Sequence, residues 1–170
     1  MKEIPLIPRK VFFGNPDRES VQISRDGVHL AWLAPLDGVL NVWVAPCQDL
    51  GDARAITHDT GRGIRFYGWS YTNKHILYIQ DKDGDENWRL FSVDLESAEE
   101  LDLTPFEGTQ VQVKKISPNF PEEVLVGLNN RVPEWHDIYR VNILTGEMTL
   151  LEQNDQFMDF TVDDDYQLRL

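Results

Sequence analysis

One cysteine, Cys47, stands in a chain of 170 residues. A lone thiol excludes an internal disulfide framework and a cysteine-based zinc site. Basic residues are scarce as well: 16 Lys and Arg face 29 Asp and Glu, for a net charge of −13 and a pI near 4.6. Phosphate binding needs a basic face, so nucleic acid is not an expected partner. Long apolar runs are missing. None approaches the roughly 18–20 residues that span a bilayer, so no membrane partner is expected. Residues 1–10 hold no apolar stretch of signal-peptide length, and the expected location is cytoplasmic. An apolar stripe of 3.6-residue period over ten or more residues is also absent, which leaves little room for helix. Disorder is excluded in turn, because 41% of the residues are hydrophobic and 11% aromatic. What remains is an acidic globular chain whose length suits one domain, since domains most often run about 100–150 residues.

What the sequence does have is a repeat. The stretches 21–33, 66–79 and 113–127 each read as a short strand closing on a serine, a polar turn, and an apolar strand. The serines Ser24, Ser70 and Ser117 lie 46 and 47 residues apart. A second anchor set, Val42-Trp43-Val44, Leu90-Phe91-Ser92 and Ile138-Tyr139-Arg140, recurs at 48 and 48. A fourth short strand follows in each unit, at 53–57, 100–104 and 148–151, with Thr57 and Thr104 again 47 apart. The strand positions are β-branched and aromatic, and the gaps carry Asp, Gly, Asn and Pro. Asp26-Gly27 and Asp83-Gly84 read as tight hairpins, because Gly accepts the positive φ such turns need.

Four antiparallel strands in about 47 residues is the pattern of a β-propeller blade. The expected fold is all-β: an incomplete propeller of about three and a half four-stranded antiparallel blades, since 170 divided by 47 is about 3.6. The expected boundaries are an N-terminal segment at 1–17, blades at 18–60, 61–107 and 108–155, and the start of a fourth at 156–170. Blades bury their apolar faces against their neighbours. Trp32, Trp43, Phe66, Trp69, Tyr78, Trp88, Phe91 and Tyr139 are the expected inter-blade aromatics. A propeller normally closes on itself. An unsealed array exposes apolar faces and strand edges, so marginal stability or self-association through open edges is expected.

The opening at residues 7–16, the stretch Val21 to Trp32 and the run Asp81 to Asp94 together resemble prolyl oligopeptidase-family serine peptidases. Acylaminoacyl peptidase and dipeptidyl-peptidase-like members are among them, and the resemblance runs along essentially the whole chain. In that family a propeller caps a C-terminal α/β-hydrolase domain that carries a Ser-Asp-His triad. The resemblance therefore implies a partial cap with the catalytic domain absent, a hydrolase domain of the parent protein as partner, and short peptides as the molecules admitted. It assigns no catalytic residue, cofactor or metal to this chain. A stand-alone TolB-like propeller acting as an interaction module is the alternative.

Chemistry-bearing strings agree with a non-catalytic piece. Gly68-Trp69-Ser70-Tyr71-Thr72 has Tyr and Thr where a nucleophile elbow needs small residues, and it falls on the strand–Ser repeat. His29 and His75 occupy equivalent turn-to-strand positions. His58-Asp59 and His136-Asp137 are adjacent pairs, which point to opposite faces of an extended strand. Asp81, Asp83 and Asp85 alternate, but Gly84 and Ser92 break the EF-hand template. They read as a charged turn, as does Asp163-Asp164-Asp165. Glu99-Glu100 and Glu122-Glu123 fall in turns and lack the context of acidic pairs that hold a substrate amino terminus. Arg131, Glu134 and Trp135 are the candidate substrate- or domain-interface residues. They lie in 129–137, which reads as a long connection between the second and third strands of the third blade, and loops carry recognition.

Overall fold

The computed structural model describes residues 6–13 and 17–169. Three four-stranded antiparallel sheets follow one another along the chain, and each is built from consecutive strands. The first holds β1 (Glu19–Ile23), β2 (His29–Leu36), β3 (Val39–Pro46) and β4 (Arg54–Ala55). The second holds β5 (Phe66–Trp69), β6 (His75–Gln80), β7 (Arg89–Asp94) and β8 (Glu100–Asp102). The third holds β9 (Val111–Ser117), β10 (Phe120–Val132), β11 (Trp135–Asn142) and β12 (Met148–Glu152). A two-stranded pair, β13 (Thr161–Val162) with β14 (Leu168–Arg169), comes last. Among the described residues, helix is confined to Arg9–Phe13 and a short 3-10 turn at Leu50–Asp52. This is an incomplete β-propeller of about three and a half blades.

Side chains alternate across a strand, so each blade presents two apolar faces, one to each neighbour. Ala31, Leu33, Val42 and Val44 of the first sheet meet Trp69, Ile76, Tyr78 and Val93 of the second. One residue along, Leu77 and Leu90 face the opposite way and meet Val124, Val126, Leu128 and Val141 of the third. Leu125 and Ile138 then turn to Tyr166 and Phe160 of the last segment. Three consecutive wedges of core thus follow from a period of two in the sequence.

The aromatics divide more finely than expected. Trp69, Tyr78, Trp88, Phe91 and Tyr139 pack in the wedges between sheets. Trp32 and Trp43 instead share a cluster with Ala34 and Ala45, drawn from the first sheet alone. They sit on its other face because they alternate with Leu33 and Val44. Phe66 is 60% exposed, a correction: it stands on the first strand of its sheet, against the edge of Trp88.

The turn expected at Asp83-Gly84 also differs from expectation. Asp83 and Gly84 both have positive φ, 56° and 86°, but they lie inside an eight-residue link between β6 and β7. Asp37-Gly38, by contrast, is a two-residue hairpin, with φ of 52° and 88° and Leu36 paired to Val39. Its twist matches the flanking strands, as positive φ at both central positions allows.

Candidate functional site

The third blade carries the candidate residues, and their setting is not a long loop. β10 and β11 stay paired out to Val132 and Trp135, which leaves Pro133-Glu134 as the whole turn. The register shifts between Leu128 and Val132, so extra residues are absorbed as a bulge in β10. The side chain of Asn129 closes it: Oδ1 accepts from the Gln110 backbone N–H at 2.7 Å, and Nδ2 donates to the Pro133 carbonyl at 3.2 Å. The expected connection across 129–137 is therefore a strand extension, because bulging satisfies its backbone groups within the sheet.

The bulge aims Arg131 across the hairpin at Asp137. Arg131 donates from Nε to Asp137 Oδ2 at 2.8 Å and from Nη2 to Oδ1 at 2.9 Å, a bidentate pair. The same Nη2 reaches the Asn154 carbonyl at 2.7 Å and Asp155 Oδ1 at 2.9 Å. Asp137 is buried and also accepts from the Asn154 N–H at 2.8 Å. The Arg131 guanidinium holds the Asp137 carboxyl below the usual carboxylate range, and Asp137 with Asp155 raises the pKa of Arg131. Arg131 is thus a clamp between the hairpin and the segment leaving β12. Glu134 is exposed at the turn and Trp135 half-buried beside it. The structure brings Arg131 to Asp137 rather than to Glu134.

Beside this clamp lies a second charged group. Lys114 on β9 is almost covered, and its Nζ reaches Asp159 Oδ1 at 2.6 Å and Gln112 Oε1 at 2.7 Å. It crosses Gly127, where a Cβ would come within 2.8 Å of the lysine chain. His136 packs against the same place, its pKa lowered by burial first and by Lys114 next. Lys114 in turn keeps Asp159 ionised below its ordinary range.

The remaining strings resolve into local structure. Ser70 Oγ bonds Thr72 Oγ1 at 2.6 Å in the turn after β5. His75 Nδ1 lies 3.0 Å from Thr72 Oγ1, and its Nε2 lies 3.4 Å from Asp94. Burial lowers the pKa of His75. Asp81 is buried against Arg62 at 2.7 Å, whereas Asp85 accepts from the backbone of Lys82 and Asn87 within its turn. These aspartates do not converge on one point. Glu100 accepts from the Tyr78 hydroxyl, Glu123 pairs with Arg140 at 3.3 Å, and Asp163 caps the β13–β14 turn.

No protein-family model matches the chain. A dipeptidyl aminopeptidase BIII of Pseudoxanthomonas mexicana is 51% identical over 165 residues, covering 96% of this chain and 24% of that protein. A dipeptidyl peptidase family member 6 of Caenorhabditis elegans is 34% identical, over 98% of this chain and 23% of its own length. This chain is similar to a stretch of these dipeptidyl peptidases. It spans about a quarter of the length of these relatives. In fold it is similar to the propeller domain of the Trilobed protease of Pyrococcus furiosus, with a TM-score of 0.59 at 19% identity over 86% of this chain and 46% of that one. A TolB-type protein of Agrobacterium tumefaciens gives 0.56 at 22%, over 78% of this chain and 45% of that one.

The sequence singles out Arg131 but not Asp137, the residue that uses it. In the sequence Asp137 stands out only as the neighbour of His136. The available signal was the repeat itself: Asp137 is the third residue of its strand, as Asn41 is of β3.

Proposed function

We propose that this chain is the non-catalytic part of a peptidase, a stretch of propeller that restricts which peptides reach a separate hydrolase domain. The observation that carries this reading is the 51% identity to a dipeptidyl aminopeptidase along nearly all of this chain and only 24% of that protein. Blades packed around an axis leave a passage of limited width, which admits short or unfolded peptides and holds folded proteins off. The partner is then an α/β-hydrolase domain carrying the nucleophile, and the exposed turn at Glu134 is a surface it can touch. A free-standing interaction module is the second reading, favoured by the likeness to the TolB-type fold.

The test begins with the coding DNA beyond Leu170. A downstream Gly-x-Ser-x-Gly in the same frame, and dipeptide release from short peptides by the whole polypeptide, support the peptidase reading. Labelling with a fluorophosphonate should mark the whole polypeptide and leave the 170-residue chain unmarked. A reading frame closing at Leu170, or labelling of this chain by itself, overturns the proposal.

A further inference from the structure

The first strands of the three sheets differ at one position of the repeat. Gln22, Gly68 and Lys115 each lie two residues before the repeating serines. Each pairs with a residue whose side chain faces the next blade: Ala31, Leu77 and Leu125. In the first sheet the side chain crosses the gap, for Gln22 Nε2 donates to the Tyr67 carbonyl of β5 at 3.0 Å. In the third it crosses again, with Lys115 Nζ 2.8 Å from Asp164. In the second there is no side chain to cross. Gly68 has no left-handed φ to demand glycine, and a Cβ built there would meet nothing within 4 Å.

The gap so left between the second and third sheets is a cavity of about 420 Å³. Phe66, Leu77, Ile79, Val111, Val113 and Ile116 line it, and among the described residues no charged one does. Phe66 and Val113 stand exposed at its border, at 60% and 46%. Such a volume with apolar walls and few polar groups is the form of a ligand pocket. A charged occupant would lose hydration there without a counter-charge, in a chain otherwise rich in charge. β5 and β9 are the terminal strands of their sheets, each paired on one edge only among the described residues. Their other edges offer backbone N–H and C=O groups to an extended chain.

We infer that the glycine gap between the second and third blades is a binding site for an extended peptide. One large apolar side chain of that peptide fills the cavity while its backbone pairs with an inner strand edge. The role, though not the binding, rests on the reading of the propeller as a passage for peptides. Glycine inside a strand often marks a close approach by another chain.

The test titrates the purified 170-residue chain with N-acetylated, C-amidated Gly-Phe-Gly and Gly-Ala-Gly, followed by NMR amide shifts. 3-Phenylpropionamide, a ring without a strand-forming backbone, is the third probe. The Phe peptide is expected to bind at least tenfold more tightly than either, with shifts at β5 and β9. Gly68→Gln, which restores the side chain found in the first sheet, should weaken it at least tenfold without lowering Tm. Val113→Lys, a change at an exposed position, should weaken it as well and guards against a Gly68 variant that fails to fold. Equal binding of the Phe and Ala peptides, or unchanged binding by both variants, overturns the site. Equal binding of 3-phenylpropionamide overturns the peptide as occupant. Failure of the whole polypeptide to cleave peptides would sink the peptidase reading and leave this binding result standing.

Discussion

Asn41 in the first sheet and Asp137 in the third hold the same place in the repeat, third residue of the third strand, with different chemistry. Each receives the chain as it leaves the fourth strand for the next blade. Asn41 does so alone. Its Oδ1 accepts from Thr57 Oγ1 at 2.9 Å and the Asp59 N–H at 2.7 Å, and its Nδ2 donates to the Val39 and Asp59 carbonyls. An amide has donors and acceptors, so the neutral hub is satisfied inside one blade. A carboxylate only accepts. Asp137 takes the Asn154 N–H and needs a cation for the rest, which Arg131 supplies. The difference teaches that Arg131 belongs to its own blade. Its charge answers a buried carboxylate.

The largest effect should come from breaking the charged hub. Asp137→Ala removes the acceptor for both Arg131 and the buried Asn154 N–H, for an expected loss of about 2–4 kcal/mol in urea unfolding. Asp137→Asn combined with Arg131→Ala rebuilds the third blade on the plan of the first. It should be more stable than Asp137→Ala, and its two changes should be strongly non-additive. A double variant no better than Asp137→Ala would show that the two hubs are not equivalent. Next in size is Asn41→Ala, which strands the Asp59 N–H and carbonyl at the entry to the second blade. A loss of about 1–3 kcal/mol is expected from unpaired buried groups, measured the same way.

Much of this was legible before the fold. The strand–serine anchors placed three sheets and half of a fourth, because a period of two and a period of 47 survive any detail of packing. Turns were less legible. Asp37-Gly38 has the same dipeptide as Asp83-Gly84, yet only the first joins paired strands directly. What separates them is where pairing stops, a property of both strands together. The hairpin at Pro133-Glu134 was hidden for the same reason: a bulge absorbs residues that composition alone assigns to a loop. In the sequence Gly68 stands out only as part of a failed nucleophile elbow. Its meaning needed the side chains at the same place in the neighbouring blades.

Acid should act on the charged hub and leave the neutral one alone. Asp137 has a lowered pKa in the folded state, so its contribution is complete above the unfolded carboxylate value of about 3.9 and is lost as pH falls through the folded value. His136 is also lowered, by burial, so the unfolded chain takes up its proton first as pH drops below about 6.5. Stability is therefore expected to decline from neutral pH toward pH 5, and again below pH 4. His136→Gln should reduce the first decline, which His75 shares, while Asp137→Asn with Arg131→Ala should reduce the second, which Asp159 and other aspartates share. Unfolding curves at a series of pH values decide this, and a slope unchanged in both variants would remove the third blade as the source.

The smallest effect is expected at the tip of the same hairpin. Glu134 is exposed in a two-residue turn whose pairing is fixed by Val132 and Trp135 on either side. Replacing it with Ala should change stability by no more than about 0.5 kcal/mol, as for other surface positions. That near-silence is what makes it informative. Arg131 three positions away cannot be altered without disturbing Asp137, so any loss of function there is confounded with loss of fold. Glu134→Lys keeps the clamp and reverses one charge on the surface proposed to face a hydrolase domain. In the whole polypeptide it should change peptide turnover while Tm stays put. Unchanged turnover with unchanged Tm would confine the function of this blade end to holding its own chain together.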